Sequence, residues 1–144
     1  MTQAANQLTP APAPAPAPVI IDVVDGPLPG ASALAPVENA GALVCFEGIV
    51  RPLEDGRRIA ALDYEAYQPM AGAQLRRLAE RVLHRHGLLA VRVEHSRGRV
   101  PAGACSFRLR IASRHRPEAL RAAEEFIDTM KRDVPIWKTA VFAE

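Results

Sequence analysis

Hydrophobic spacing along the chain switches between the two-residue repeat of strands and the longer repeat of helices. The apolar run "VIIDVV" (19–24), closed by the turn cluster "DGPLPG", predicts a first strand. "ASALAPVENA" (31–40) predicts a loop with room for one short helix. "GALVCFEGIV" (41–50) is apolar on both pleat faces, Ala42, Val44 and Phe46 on one and Leu43, Cys45 and Ile49 on the other, which predicts a central strand with Glu47 as its exception. "RIAALDYEAY" predicts the next strand. With Asp55-Gly56 as a turn signal, residues 41–67 read as a hairpin with a basic loop.

Between Gln68 and His86 the period becomes helical, with Met70, Leu75, Leu78, Val82 and Leu83 on one stripe and Gly87 placed to end the helix. "LLAVRVEHS" and "CSFRLRIAS" predict two more strands. In the second, Cys105, Phe107, Leu109 and Ile111 are expected to face the core and Ser106, Arg108 and Arg110 to face outward. A last helix begins at Pro117 with Glu118 beside it and is expected to bury Leu120, Ala123, Phe126, Ile127 and Met130. Pro135 disfavours helix at Val134, so this helix ends between Lys131 and Asp133. Loosely alternating strands and helices with hairpins make the class α+β.

A chain of 144 residues suits one compact unit with extensions. The Ala-Pro repeat in "LTPAPAPAPAP" removes backbone donors and fixes φ, so residues 1–18 are expected to form an extended spacer or disordered tail and residues 19–144 the folded domain. The alternative, a Pro-rich docking ligand, lacks the flanking charges such ligands use. A net charge of +2 hints at anionic partners without the density of a dedicated DNA binder. Cys45 and Cys105 lie in apolar stretches without metal or redox-motif spacing, so no zinc site or disulfide framework is expected and neither thiol is read as reactive. No signal-like leader or apolar span is present, and a cytoplasmic protein is expected.

Three clusters carry candidate chemistry. "KRDVPIWK" places Lys131 and Lys138 around a proline and the only tryptophan. Lys131 also suits the negative end of a helix, and Lys138 a surface, so a structural reading stays open. The functional reading is that a stiff link anchored by burial of Ile136 and Trp137 holds two partly desolvated ammonium groups, one able to serve as base or nucleophile and the other to stabilise an anion. "SRHRPE" puts Arg114, His115 and Arg116 at a helix start, where free N–H groups favour an anion; its alternative is a solvated basic loop. "GIVR" puts Arg51 at a strand end, a weak signal alone. His84 and His86 read as a solvated helix end and His95 as structural. Pro117 and Lys131 bracket one helix, separating its ends by roughly 21 Å, so one small substrate reaches both clusters only across a two-fold dimer.

The motifs "GALVCFEGIVR", "DGRRIAALDYEAY", "VEHSRGRV", "SRHRPEAL" and "MKRDVPIWK", in this order, resemble the MoaE family, the large catalytic subunits of molybdopterin synthase. The resemblance spans about residues 19–138. It implies an α/β hammerhead-type domain with antiparallel strands and two main helices. It implies sulfur transfer from the thiocarboxylated Gly-Gly C-terminus of a small MoaD-type subunit to cyclic pyranopterin monophosphate, by a homodimer with one small subunit at each end. By the same resemblance Lys131 and Lys138 are the catalytic lysines, and Ile49, Val50, Arg51, His115, Arg116, Thr139 and Ala140 join them in substrate binding. No metal or organic cofactor is implied, nor nucleic acid or membrane as partner.

Three departures accompany the resemblance. Pro52 and Leu53 stand where the family commonly has Asn and His; Thr139 and Ala140 replace more polar residues and leave backbone contacts there; and Glu144 closes the sequence where many members continue with charged residues. Two other functions compete: a non-catalytic scaffold of the same fold, and a basic nucleic-acid-binding module, against which the scatter of the arginines and the scarcity of aromatics both weigh.

Overall fold

The structure is a computed structural model that describes residues 17–144. Most of the expected Ala-Pro tail (1–16) lies outside the described residues. Seven strands and two helices follow in the order β1 (Val19–Asp25), β2 (Ala42–Ile49), β3 (Leu53–Glu54), β4 (Arg57–Ala66), α1 (Met70–His86), β5 (Ala90–Pro101), β6 (Cys105–Ser113), α2 (Arg116–Asp133) and β7 (Ile136–Phe142). The class is α+β, as the periodicity predicts.

Strand β5 organises the sheet. Its first part pairs in parallel with β1 and antiparallel with β6, and β6 pairs antiparallel with β2. Its last residues, Gly98–Pro101, pair instead with Tyr64–Ala61 of β4, whose other edge carries β7. Gly98 has φ +81°, a conformation that suits glycine where the strand passes from one set of partners to the next.

Both helices cover one face of the β1-β5-β6-β2 region. Val82 and Leu75 of α1 and Phe126 of α2 are fully enclosed with Val91, Val93, Leu109 and Ile111. Burying a side chain such as Phe126 contributes about 1.5–3 kcal/mol. The stripe of α2 is rotated from its expected position, with Ala119, Ala122, Ala123, Phe126 and Met130 buried and Leu120 55% exposed. Small residues at 119, 122 and 123 let α2 sit close to the sheet, and Leu120 falls outside that contact arc.

Four further expectations are corrected. Among the described residues strand β2 is an edge strand paired only with β6, so Leu43, Cys45, Phe46 and Ile49 remain exposed. It does not form a hairpin with β4; the Asp55-Gly56 turn, with φ of +49° and +76°, instead joins β3 to β4 in a tight two-residue hairpin. Residues 31–40 contain no helix. Finally, Arg108 and Arg110 do not face solvent.

Segment 27–40 straps the sheet face opposite the helices and encloses these two arginines. Arg108 donates to the Pro29 carbonyl at 2.7 Å and Arg110 to the Ser32 carbonyl at 2.8 Å. Buried Glu94 bridges them, accepting from Arg108 at 3.0 Å and from Arg110 at 2.5 Å. Alternation on β6 thus holds, but both of its faces are covered and its polar face is neutralised internally.

Candidate functional site

The sequence after Pro135 builds one wall of a deep groove. Val134 ends α2 in an extended conformation, and the chain turns directly into β7, which runs antiparallel to β4 with Trp137 opposite Glu65 and Lys138 opposite Tyr64. Lys138 is therefore placed by strand pairing. Trp137 is 57% exposed and does not anchor the link by burial, which corrects the expectation for this stretch; partly buried Ile136 packs on the core instead.

The groove has a volume of about 880 Å³ and lies between the end of β2, the last turns of α2, and β7. Ile49, Val50, Arg51, Lys131 and Lys138 all line it, so three cations from distant parts of the sequence meet here. A bulge between Gly48 and Ile49 breaks the β2–β6 register, turning Val50 into the core and releasing Arg51 to solvent. Both lysines are exposed, so the desolvation expected of them is not present in the single chain. Lys138 Nζ lies 3.6 Å from the Glu54 carboxylate, which the β3–β4 hairpin carries to the groove.

His115 and Arg116 are not in this groove. They form the exposed start of α2, with His115 as the residue before the helix. Gly41 holds this corner, since a Cβ there would sit 2.3 Å from the Arg114 carbonyl oxygen. Sixteen residue steps separate His115 from Lys131, corresponding to roughly 24 Å of helix. Thr139 and Ala140 also lie outside the groove lining; Ala140 packs on the small cluster of Val50, Ile59, Leu62 and Val100.

Several lining residues were not anticipated. Glu54, Tyr64, His95, Ser106 and Met130 all face the groove. The strand β7 itself was also missed, although "IWKTAVF" is rich in β-formers and follows a proline. His86, expected to be solvated, instead bonds Glu125 at 2.7 Å, with Arg85 on the same carboxylate. Burial pushes the Cys105 thiol up, and it donates to the Phe107 carbonyl, consistent with an inert packed residue. No helix among the described residues is long and apolar enough to cross a membrane.

Comparisons with known proteins bear on the fold and the family. The model of the family described as MoaE protein matches residues 26–133. A molybdopterin synthase catalytic subunit of Aspergillus niger is 39% identical over 120 residues, covering 82% of this chain and 67% of that protein. One from Oryza sativa subsp. indica is 40% identical over 103 residues, covering 72% of this chain and 53% of its own. The chain thus spans about half to two thirds of the length of these relatives. Among solved structures, molybdopterin synthase from Staphylococcus aureus superposes with a TM-score of 0.74 at 28% identity, covering 85% of this chain and 91% of that one. Fold, motif order and sequence similarity together establish that this chain belongs to the MoaE family.

Proposed function

We propose that the chain is the catalytic subunit of a molybdopterin synthase, a sulfurtransferase that moves sulfur from the thiocarboxylated Gly-Gly tail of a MoaD-type small subunit to cyclic pyranopterin monophosphate. The observation that carries this reading is the convergence of Arg51, Lys131 and Lys138 on one groove. Such a site suits a reaction whose donor ends in a thiocarboxylate and whose acceptor carries a phosphate, because fixed cations stabilise both anions and the charge that develops as the phosphate ring opens. Sulfur arrives with the partner, so no nucleophilic cysteine of this chain is required.

Phe46, Ile49 and Trp137 leave apolar surface exposed at the groove. That surface suits a docking protein tail, which would also exclude water and desolvate the lysines. Lys131, in the last turns of α2, is assigned to acid/base and electrostatic work next to the terminal glycine, and Lys138 to anion stabilisation.

His115 and Arg116 complete the site from a second copy. Both are exposed and remote from their own groove, and the N–H groups at the start of α2 add anion affinity, so a two-fold dimer that brings one helix start to the other copy's groove supplies the phosphate and pterin contacts. Thr139 and Ala140 would contribute through their backbone alone.

The decisive assay is molybdopterin formation from the cyclic precursor with thiocarboxylated small subunit. The unaltered chain is expected to form product, and Lys131→Ala to bind the small subunit while losing activity by at least about a hundredfold. An unaltered chain that assembles with the small subunit and yields no product would leave a scaffold of the same fold as the correct description.

A further inference from the structure

One group at the groove floor has no part in the proposed chemistry. His95 is only 5% exposed, yet its ring lines the groove. Nδ1 lies 2.7 Å from the Ser96 carbonyl oxygen, which can only accept, so Nδ1 carries the hydrogen. Among the described residues nothing is hydrogen-bonded to Nε2. The ring is clamped edge-on against Tyr64, with centroids 5.4 Å apart, and against Phe107 at 5.7 Å. It cannot turn to satisfy Nε2 elsewhere without losing the Ser96 bond and both aromatic contacts.

We infer that His95, locked as its Nδ1–H tautomer, presents Nε2 as an uncharged acceptor that receives an N–H donor of the molecule bound in the groove. Burial pushes this imidazole below its ordinary range, which keeps it neutral at pH 7. Beside it, the Tyr64 and Ser106 hydroxyls are bonded to each other at 3.0 Å and also line the groove, so the floor offers polar but uncharged groups below the cations. Solvent entering the open groove serves Nε2 in the free protein, and an occupant that covers the ring without supplying a donor leaves this acceptor unsatisfied at a cost. An N–H edge satisfies it; a second acceptor or an anion at that point does not. His95 is thus a specificity-determining residue that selects which edge of the occupant faces inward. This rests on the sulfur-transfer reading only for the two candidate sources of the donor, a pterin ring N–H and a backbone amide of the Gly-Gly tail.

The test is the ring nitrogen spectrum of the 15N-labelled full chain, with His95 assigned through His95→Gln. The free protein is expected to show a protonated Nδ1 and a bare Nε2. Titration with a reduced pterin lacking phosphate, and separately with the small subunit ending in Gly-Gly carboxylate, is expected to move Nε2 upfield in one arm. Movement with pterin assigns the donor to the heterocycle, and movement with the small subunit assigns it to the tail. A protonated Nε2 in the free protein, or an Nε2 that neither probe moves, overturns the inference.

Kinetics give an independent check. His95→Phe is expected to lower kcat/KM by about tenfold, the value of one lost hydrogen bond, with His95→Gln recovering most of it through its side-chain oxygen. Equal losses in both variants would mark a purely structural role and overturn the inference, as would an unimpaired His95→Phe. Should the unaltered chain make no molybdopterin, the functional reading falls, while the nitrogen titration still decides what His95 does.

Discussion

Glu94 stands between two arginines that are almost wholly enclosed, Arg108 and Arg110 being 2% and 4% exposed. Removing one partner of a buried ion pair strands the others, at a cost of about 3–5 kcal/mol. Glu94→Gln is therefore expected to lower unfolding free energy by about that amount in urea titrations, whereas Asp63→Asn, which breaks the exposed Arg99 pair, is expected to leave the midpoint almost unchanged. His95 sets a pH dependence of definite sign. Its native pKa lies below the ordinary 6.5, so as pH falls through that value the unfolded chain takes up a proton that the folded chain refuses. Stability is fully present above about pH 6.5 and is lost below it, down to the depressed native pKa. Melting temperatures from pH 7.5 to 5 are expected to fall more steeply for the parent than for His95→Gln.

Elements place the chemistry, and one glycine shows how tightly. Gly41 pairs its N–H with the Ser113 carbonyl at 3.0 Å and leaves no room for a Cβ beside Arg114. Gly41→Ala is expected to shift the corner that carries His115, raising the KM for the cyclic precursor and lowering the melting temperature while small-subunit affinity is retained. The elements also show what was legible in advance. Both helices and most strands follow from spacing, because burial of one stripe or one face leaves a periodic trace. The edge position of β2 left no such trace, since its exposed residues are as apolar as residues inside a core. Nor did the outcome for Arg108 and Arg110, whose burial depends on a strap and a glutamate from distant segments. The groove cations were legible as motifs, whereas Tyr64, His95 and Ser106 reach the floor only through sheet register, which alternation alone does not reveal.

At the scale of the whole molecule, the surface is less basic in effect than the count of arginines suggests. Arg92, Arg108 and Arg110 serve Glu94 internally, and Arg85, Arg97, Arg99 and Arg132 each pair with a carboxylate. The proposed sharing of the site between two copies makes a sharper demand. Lys131→Ala and His115→Ala are each expected to be inactive alone. Mixed and allowed to exchange subunits, they should recover about one quarter of parental activity, because half the dimers are mixed and one of their two sites is intact. A mixture that stays inactive while exchange is demonstrated by mass would show that each groove works within one chain.

If the site is shared between two copies as proposed, α2 carries a contribution to one site at its start and to another near its end, and would behave as a ruler fixed between two workplaces. Inserting one turn would lengthen it by about 5.4 Å and misplace a contact in both sites at once. The 27–40 strap and the β3–β4 turn have no such double duty. Tolerance to insertions should therefore be very uneven along the chain, generous in the outer loops and close to nil in a helix whose residues are, individually, ordinary.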